Sequence, residues 1–178
     1  LSRSSMKEFS HPGSTGKSMT DINRALDSTL TVSRNTWKQV ARLETDFAAD
    51  LPLVNCHVGE INQVFLNLIV NAAHAIESSG KPLPGTIRVT TSQQDGWVRI
   101  AVKDSGTGIS PSIMEKIFYP FFTTKSVGKG TGQGLAICLD VVKIKHGGKL
   151  EVNGNEGDGA EFVVTLPIDN PAEAGPHD

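Results

Sequence analysis

Thr86-Ile87-Arg88-Val89-Thr90-Thr91-Ser92 and Trp97-Val98-Arg99-Ile100-Ala101-Val102-Lys103 are two β-rich runs joined across Gln94-Asp95-Gly96. Asp-Gly between such runs is a strong hairpin signal, so the runs are expected to pair antiparallel. Later in the chain, Lys149 to Val152 and Glu161 to Leu166 repeat the pattern around a Gly-rich turn. Between and before these hairpins lie helical stretches. That order lacks the regular β-α alternation of a doubly wound parallel fold and predicts an α+β two-layer sandwich.

Working outward, the stretch from His57 to about Ser79 is the clearest helix. Ile61, Val64, Phe65, Leu68, Ile69, Ala72 and Ile76 recur at 3.6-residue spacing and form a wide apolar stripe. Ser78-Ser79-Gly80 and Pro82 stop it. Ile22 to about Arg34 is a second helix, with Asp21 as N-cap and Ile22, Leu26 and Leu30 on one face. Val40 to Phe47 alternates imperfectly, as a strand does. Pro111 to Ile117 is expected to be a short helix, Tyr119 to Gly134 a loop, and Leu135 to about Lys145 helical again. Residues 1–20, rich in Ser, Gly, Lys and Thr, read as a linker, residues 21–167 as the folded domain, and residues 168–178 as a polar, disordered tail. Within the linker, Gly13-Ser14-Thr15-Gly16-Lys17-Ser18 imitates a phosphate loop. The motif needs a Gly at position 11, which is His11, and a preceding hydrophobic strand.

The 178 residues suit one domain, and 38% hydrophobic with 20% charged residues is a globular composition. A formal net charge of −2 offers no electrostatic attraction to nucleic acid or an anionic membrane. Cys56 and Cys138 have neither a disulfide framework nor metal-ligand spacing and read as buried thiols. No apolar run is long enough to span a bilayer. The start, Leu1-Ser2-Arg3-Ser4, is neither an initiator Met nor a signal peptide, and the chain is expected to be a piece of a longer protein.

Three segments carry candidate chemistry. On the long helix Asn67, Asn71 and His74 fall within about 60° of one another beside the apolar stripe, either as a solvated face or as a polar wall toward a ligand. An Asn carbonyl oxygen is a neutral hard donor that suits Mg²⁺ when a triphosphate supplies the charge. Asp104-Ser105-Gly106-Thr107-Gly108-Ile109 follows a β-run. It is a plain turn, or a carboxylate that accepts from an adenine amino group with glycines that let backbone approach the base. In Gly128-Lys129-Gly130-Thr131-Gly132-Gln133-Gly134-Leu135-Ala136-Ile137 four alternating glycines run into a helix start, an arrangement that favours anion binding by backbone N–H groups.

Taken together and in this order, these segments resemble the catalytic domain of sensor histidine kinases, in the superfamily shared with gyrase-type and heat-shock chaperone ATPases. Asn67 to Ala75 resembles the N box, Asp104 to Ile109 the first glycine box, and Phe118-Tyr119-Pro120-Phe121-Phe122-Thr123-Thr124-Lys125 the F box. Gly130 to Ile137 resembles the second glycine box. His146-Gly147-Gly148 with Gly157-Asp158-Gly159-Ala160-Glu161-Phe162 resembles the closing hairpin. The resemblance covers about residues 20–167. It implies a Bergerat-type ATP-binding fold, with a mixed, mostly antiparallel sheet covered by helices on one face. It implies ATP and Mg²⁺, with Asn71 as the metal ligand and Asn67 supporting the metal-phosphate region. Asp104 would read adenine, and Gly106 and Gly108 would line the base pocket. Lys125 and Gly130, Thr131, Gly132 and Gly134 would close over the phosphates as a mobile lid, with Ile109, Thr124 and Leu135 also in contact with nucleotide. Asn71 and Lys125 would be the catalytic pair. His74, where many relatives carry another residue, would touch phosphate or a metal-bound water or else face solvent. Gln133 stands where the family usually has Leu.

Position 67 also separates two chemistries. The gyrase and chaperone ATPases carry a water-activating Glu four residues before the metal-binding Asn; here that position is Asn67, and a neutral amide is no general base. The resemblance therefore implies transfer to a better nucleophile, a histidine on a helical dimerisation hairpin. None of His11, His57, His74, His146 and His177 has the context of such an acceptor. The hairpin is expected outside this chain, residues 1 to about 18 being the last part of it and its linker. The implied partners are that hairpin and a response regulator, and the implied location is cytoplasmic. Alternatives are a regulatory nucleotide-binding module without turnover and a serine-directed anti-sigma kinase.

Overall fold

The computed structural model describes residues 16–120, 122, 134–154 and 156–168. In chain order the elements are β1 (Ser18–Thr20), α1 (Ile22–Val32), α2 (Arg34–Trp37), β2 (Ala41–Asp46), β3 (Val54–Cys56), α3 (Val58–Glu77), β4 (Gly85–Gln94) and β5 (Trp97–Asp104). Then come α4 (Pro111–Met114), α5 (Gly134–Leu139) with a π-helical continuation Asp140–Lys145, β6 (Lys149–Gly154) and β7 (Ala160–Pro167).

The quoted hairpin is the centre of the sheet. Gln94 and Trp97 are paired across a two-residue turn, and Asp95 and Gly96 have φ of 49° and 81°. Two successive positive φ values twist the turn in the sense of the flanking strands, which is why Asp-Gly suits the position. The five-stranded sheet runs β2-β4-β5-β7-β6. β2 is parallel to β4 and all other pairs are antiparallel.

Every apolar residue expected on the α3 stripe is buried, and the stripe packs with Ile87, Val89, Val98, Ile100, Val102, Val164 and Leu166 of the sheet in one core. Ala101 and Val163 are also buried but stand outside that core, on the opposite parity of their strands. The helices therefore cover one face, as expected. Phe65 is fully buried, and Phe65→Ala would cost about 3–5 kcal/mol.

Three local features depart from the sequence reading. Ser18–Thr20, read as linker, pairs antiparallel with Val54–Cys56 as a separate two-stranded sheet. Three-residue strands are too short to show periodicity. The first helix ends at Val32 and a short helix, Arg34–Trp37, follows it; Ser33 turns its hydroxyl back to the Thr29 carbonyl at 2.7 Å, as serines near helix ends do. The stretch read as one helix to Lys145 widens into π turns after Leu139.

This widening brings the buried His146 ring back to the Val141 carbonyl at 2.8 Å, while Nε2 accepts from the His57 N–H at 3.0 Å. That pair of bonds selects the neutral tautomer with the proton on Nδ1. His146 thus satisfies an amide at the start of α3. Burial lowers its pKa, opposed by the Val141 hydrogen bond and reinforced by Lys17 and His57. Both cysteines are buried and free, as expected. Among the described residues no helix is long and apolar enough to cross a membrane. Ile168 still bonds through its N–H to the Gly96 carbonyl, whereas residues 169–178 of the expected tail lie outside the described residues.

Candidate active site

A cavity of about 580 Å³ opens beside α3. One wall is the polar flank of that helix: Asn67, Val70, Asn71, His74, Ala75 and Ser78. The rest of the lining is Asp104 at the end of β5 with Thr107, Gly108 and Ile109 after it, Ile113, Ile117 and Phe122 beyond, Gly134 and Leu135 at the start of α5, and Glu156, Ala160 and Phe162 of the closing hairpin. The amide pair and histidine therefore line a cavity. From Asn67 to Ala75 the wall runs about 12 Å, at 1.5 Å per residue.

Asp104 ends the central strand β5 and is 4% exposed. Its Oδ1 accepts from the Gly106 N–H at 2.8 Å and, more weakly, from the Ala160 N–H at 3.4 Å. Burial pushes its pKa up; the two backbone hydrogen bonds and Lys81 pull the other way. The backbone around it is locked by close approaches. A Cβ on Gly106 would lie 2.5 Å from the Ala75 carbonyl carbon. A Cβ on Gly159, whose φ is 83°, would lie 2.0 Å from the Asp104 carbonyl oxygen. Glycine is needed at both.

At the other end, the Asn67 amide bridges two helices. Its Nδ2 donates to the Cys138 thiol at 3.5 Å, and its Oδ1 accepts from Gln63 at the same distance. Burial raises the Cys138 pKa to about 11, so the sulfur is a neutral thiol. Asn67 thus sits under the start of α5, where a Cβ on Gly134 would meet it in ordinary contact.

Of the sequence-derived candidates, Asn67, Asn71, His74, Asp104, Gly108, Ile109, Gly134 and Leu135 meet at one cavity. Gly106 does not line it; its place is against α3, where it lets the turn seat on the helix. Thr124, Lys125, Gly130, Thr131, Gly132 and the Gln133 substitution lie outside the described residues. Sequence reasoning passed over Lys81, Glu156 and Gly159. Gly159 stands in a box that was recognised, but its partner was not foreseeable. For Lys81, in Ser-Ser-Gly-Lys-Pro, no local signal exists.

Residues 57–170 match the family described as histidine kinase-, DNA gyrase B- and HSP90-like ATPase. The two-component sensor PprA of Pseudomonas aeruginosa is 45% identical over 127 residues, covering 69% of this chain and 13% of that protein. The sensor histidine kinase ZraS of Escherichia coli K12 is 36% identical over 149 residues, covering 83% of this chain and 30% of that protein. The chain thus spans less than a third of these relatives. Among solved structures, the catalytic domain of histidine kinase ThkA superposes with a TM-score of 0.71 at 29% identity, over 85% of this chain and 95% of that one. ThkA is also known in complex with the response regulator protein TrrA, a match with a TM-score of 0.69 at 27% identity, over 86% of this chain and 42% of that one. The order of the boxes, the mixed sheet with its one-sided helices and these matches agree: this chain belongs to the histidine kinase-, gyrase- and HSP90-like ATPase family, as an ATP-binding catalytic domain of the sensor histidine kinase type.

Proposed function

We propose that the cavity takes ATP with adenine at the Asp104 end and phosphates at the Asn67–Asn71 end, and that the chain transfers the γ-phosphoryl group to a histidine on a dimerisation hairpin outside it. The observation that carries this reading is the shared cavity. A buried carboxylate and two helix-borne amides face one space, with a helix start, Gly134–Leu135, beside the amides. Asp104 Oδ1 is taken by backbone N–H groups, and we assign Oδ2 to the adenine amino group. Guanine presents an acceptor at that position, so a carboxylate there selects ATP over GTP.

Asn71 offers one neutral, hard oxygen, and a triphosphate offers anionic ones. That donor set fits Mg²⁺, which keeps several waters and shares phosphate oxygens. When bound, the ion would neutralise phosphate charge during transfer. Asn67 meets α5 through the Cys138 thiol, with its carbonyl held by Gln63 one turn earlier on α3, and has no carboxylate with which to activate water. We assign Lys125, with Thr124, Gly130, Thr131 and Gly132, to closing over the phosphates, and His74 to the phosphate side of the wall. The similarity to ThkA, known in complex with a response regulator, supports a response regulator as a partner in the relay. Such a relay would be fed by cellular ATP, and we assign the chain to the cytoplasm on that ground.

The test is phosphoryl transfer from γ-labelled ATP, with and without a dimerisation hairpin from a relative such as ZraS. The expected result is label on the hairpin histidine, none on this chain alone, and slow phosphate release. Fast phosphate release without the hairpin would make the domain an ATPase. ATP binding without any transfer would favour a regulatory module.

A further inference from the structure

Lys81 follows the C-terminal end of α3, in the turn leading to β4. Its own N–H donates to Ser79 Oγ at 3.1 Å, which fixes the root of the side chain. Its ammonium then reaches three backbone carbonyls: Ser105 at 3.2 Å, Gly106 at 3.1 Å and Gly157 at 2.5 Å. An ammonium has three donors, so this set uses all of them. The carbonyls belong to two loops, each of which also carries residues that line the cavity. Ser105 and Gly106 form the turn that carries Asp104, and Gly157 lies in the closing hairpin. A second tie, from the Gly157 N–H to the Thr107 carbonyl at 2.7 Å, joins the same two loops.

Resting on the nucleotide reading above, we propose that Lys81 is the positioning residue of the adenine end, clamping the Asp104 turn to the closing hairpin and supplying the positive charge that keeps Asp104 an acceptor. A neutral donor could staple the loops. Only a cation also acts on the carboxylate electrostatically. Burial raises the Asp104 pKa and Lys81 is among the groups opposing that rise. Among the described residues, the other titratable side chains that line the cavity are His74 on α3 and Glu156 on the closing hairpin. Protonated, Asp104 would lose one acceptor site, so ATP affinity should fall on the acid side.

The experiment is calorimetric titration of the chain with Mg·ATP from pH 5 to 8, for wild type, Lys81→Met and Lys81→Arg, with a thermal melt of each. The phosphates of ATP titrate in this range too, but identically for every variant, so differences between proteins isolate the site. Lys81→Met is expected to bind about tenfold more weakly at pH 7.5, the scale of lost hydrogen bonds to a charged group. Its acid limb should move to higher pH, and Lys81→Arg should restore the limb. Lys81→Gln keeps a donor without the charge and should show the same acid shift, which serves if the Met variant does not fold. Wild-type affinity and an unchanged limb in Lys81→Met would overturn the proposal. So would an equal loss at every pH with a lowered melting temperature, which would make Lys81 a staple and nothing more. A folded wild type that binds no ATP would overturn the nucleotide reading and the clamp with it.

Discussion

The two ends of the cavity are built by different means. At the Asp104 end, backbone does the positioning: Oδ1 is held by two N–H groups, glycines bring the loops within van der Waals contact, and three carbonyls converge on Lys81. At the Asn67 end, side chains on a regular helix do the positioning, and among the described residues the amide of Asn67 makes two long contacts of 3.5 Å. A rigid end suits a flat base, whose recognition depends on one hydrogen-bond direction. An adaptable end suits phosphates and a hydrated cation, whose geometry changes as a phosphoryl group leaves. The difference teaches that the first end should fail through the fold and the second through the ligand.

The largest effect that sharpens this contrast is at Gly159. A Cβ there meets the Asp104 carbonyl and demands a strained φ, so Gly159→Ala is expected to destabilise the chain by about 3 kcal/mol in urea unfolding and to weaken ATP binding with it. A stable Gly159→Ala with native affinity would break the contrast at its rigid end. Next, Asn71→Ala should lower Mg·ATP affinity about tenfold and remove its Mg²⁺ dependence, with melting temperature almost unchanged. Loss of folding there would show the helix wall to be structural.

Smaller effects appear in the pH dependence of stability. The folded pKa of Asp104 is raised, so its contribution is fully present below the unfolded carboxylate value of about 3.9 and is lost as pH rises through the folded value. Asp104→Asn removes the buried charge, so its melting temperature should gain on wild type between about pH 4 and neutrality. His146 has the opposite sign. Its folded pKa is lowered, so its stabilisation is present above the unfolded value of about 6.5 and is lost as pH falls through the folded one. Below about pH 6.5 the wild type should lose stability that His146→Gln, already weakened at neutral pH, does not lose further. Parallel melting curves for the two proteins across that window would remove His146 from the account.

Much of this was legible in the sequence. The α3 stripe and the Thr86–Lys103 hairpin showed because each repeats its periodicity over many residues, and Asp95-Gly96 states its turn type directly. The edge strand β2 alternated poorly because most of it is exposed. The Ser18–Thr20 and Val54–Cys56 strands are too short for any period. The candidate site was legible where a helix or strand end presents a side chain, as at Asn67, Asn71 and Asp104. It was not legible where a side chain meets backbone far along the chain. Lys81 joins carbonyls 24 and 76 residues away, and nothing local distinguishes it from a solvated lysine. Gly106 looked like a base-pocket glycine, yet its close neighbour is Ala75 of α3.

Adenine reading by Asp104 is the proposal on which the nucleotide site rests. Calorimetric titration of the wild type and Asp104→Ala with Mg·ATP, and of the wild type with Mg·GTP, tests it most directly. One ATP should bind the wild type, with affinity reduced at least about 100-fold in Asp104→Ala and for GTP, the scale on which a site built for one hydrogen-bond pattern rejects another. Equal ATP binding by a folded Asp104→Ala, or no binding by a folded wild type, would contradict it.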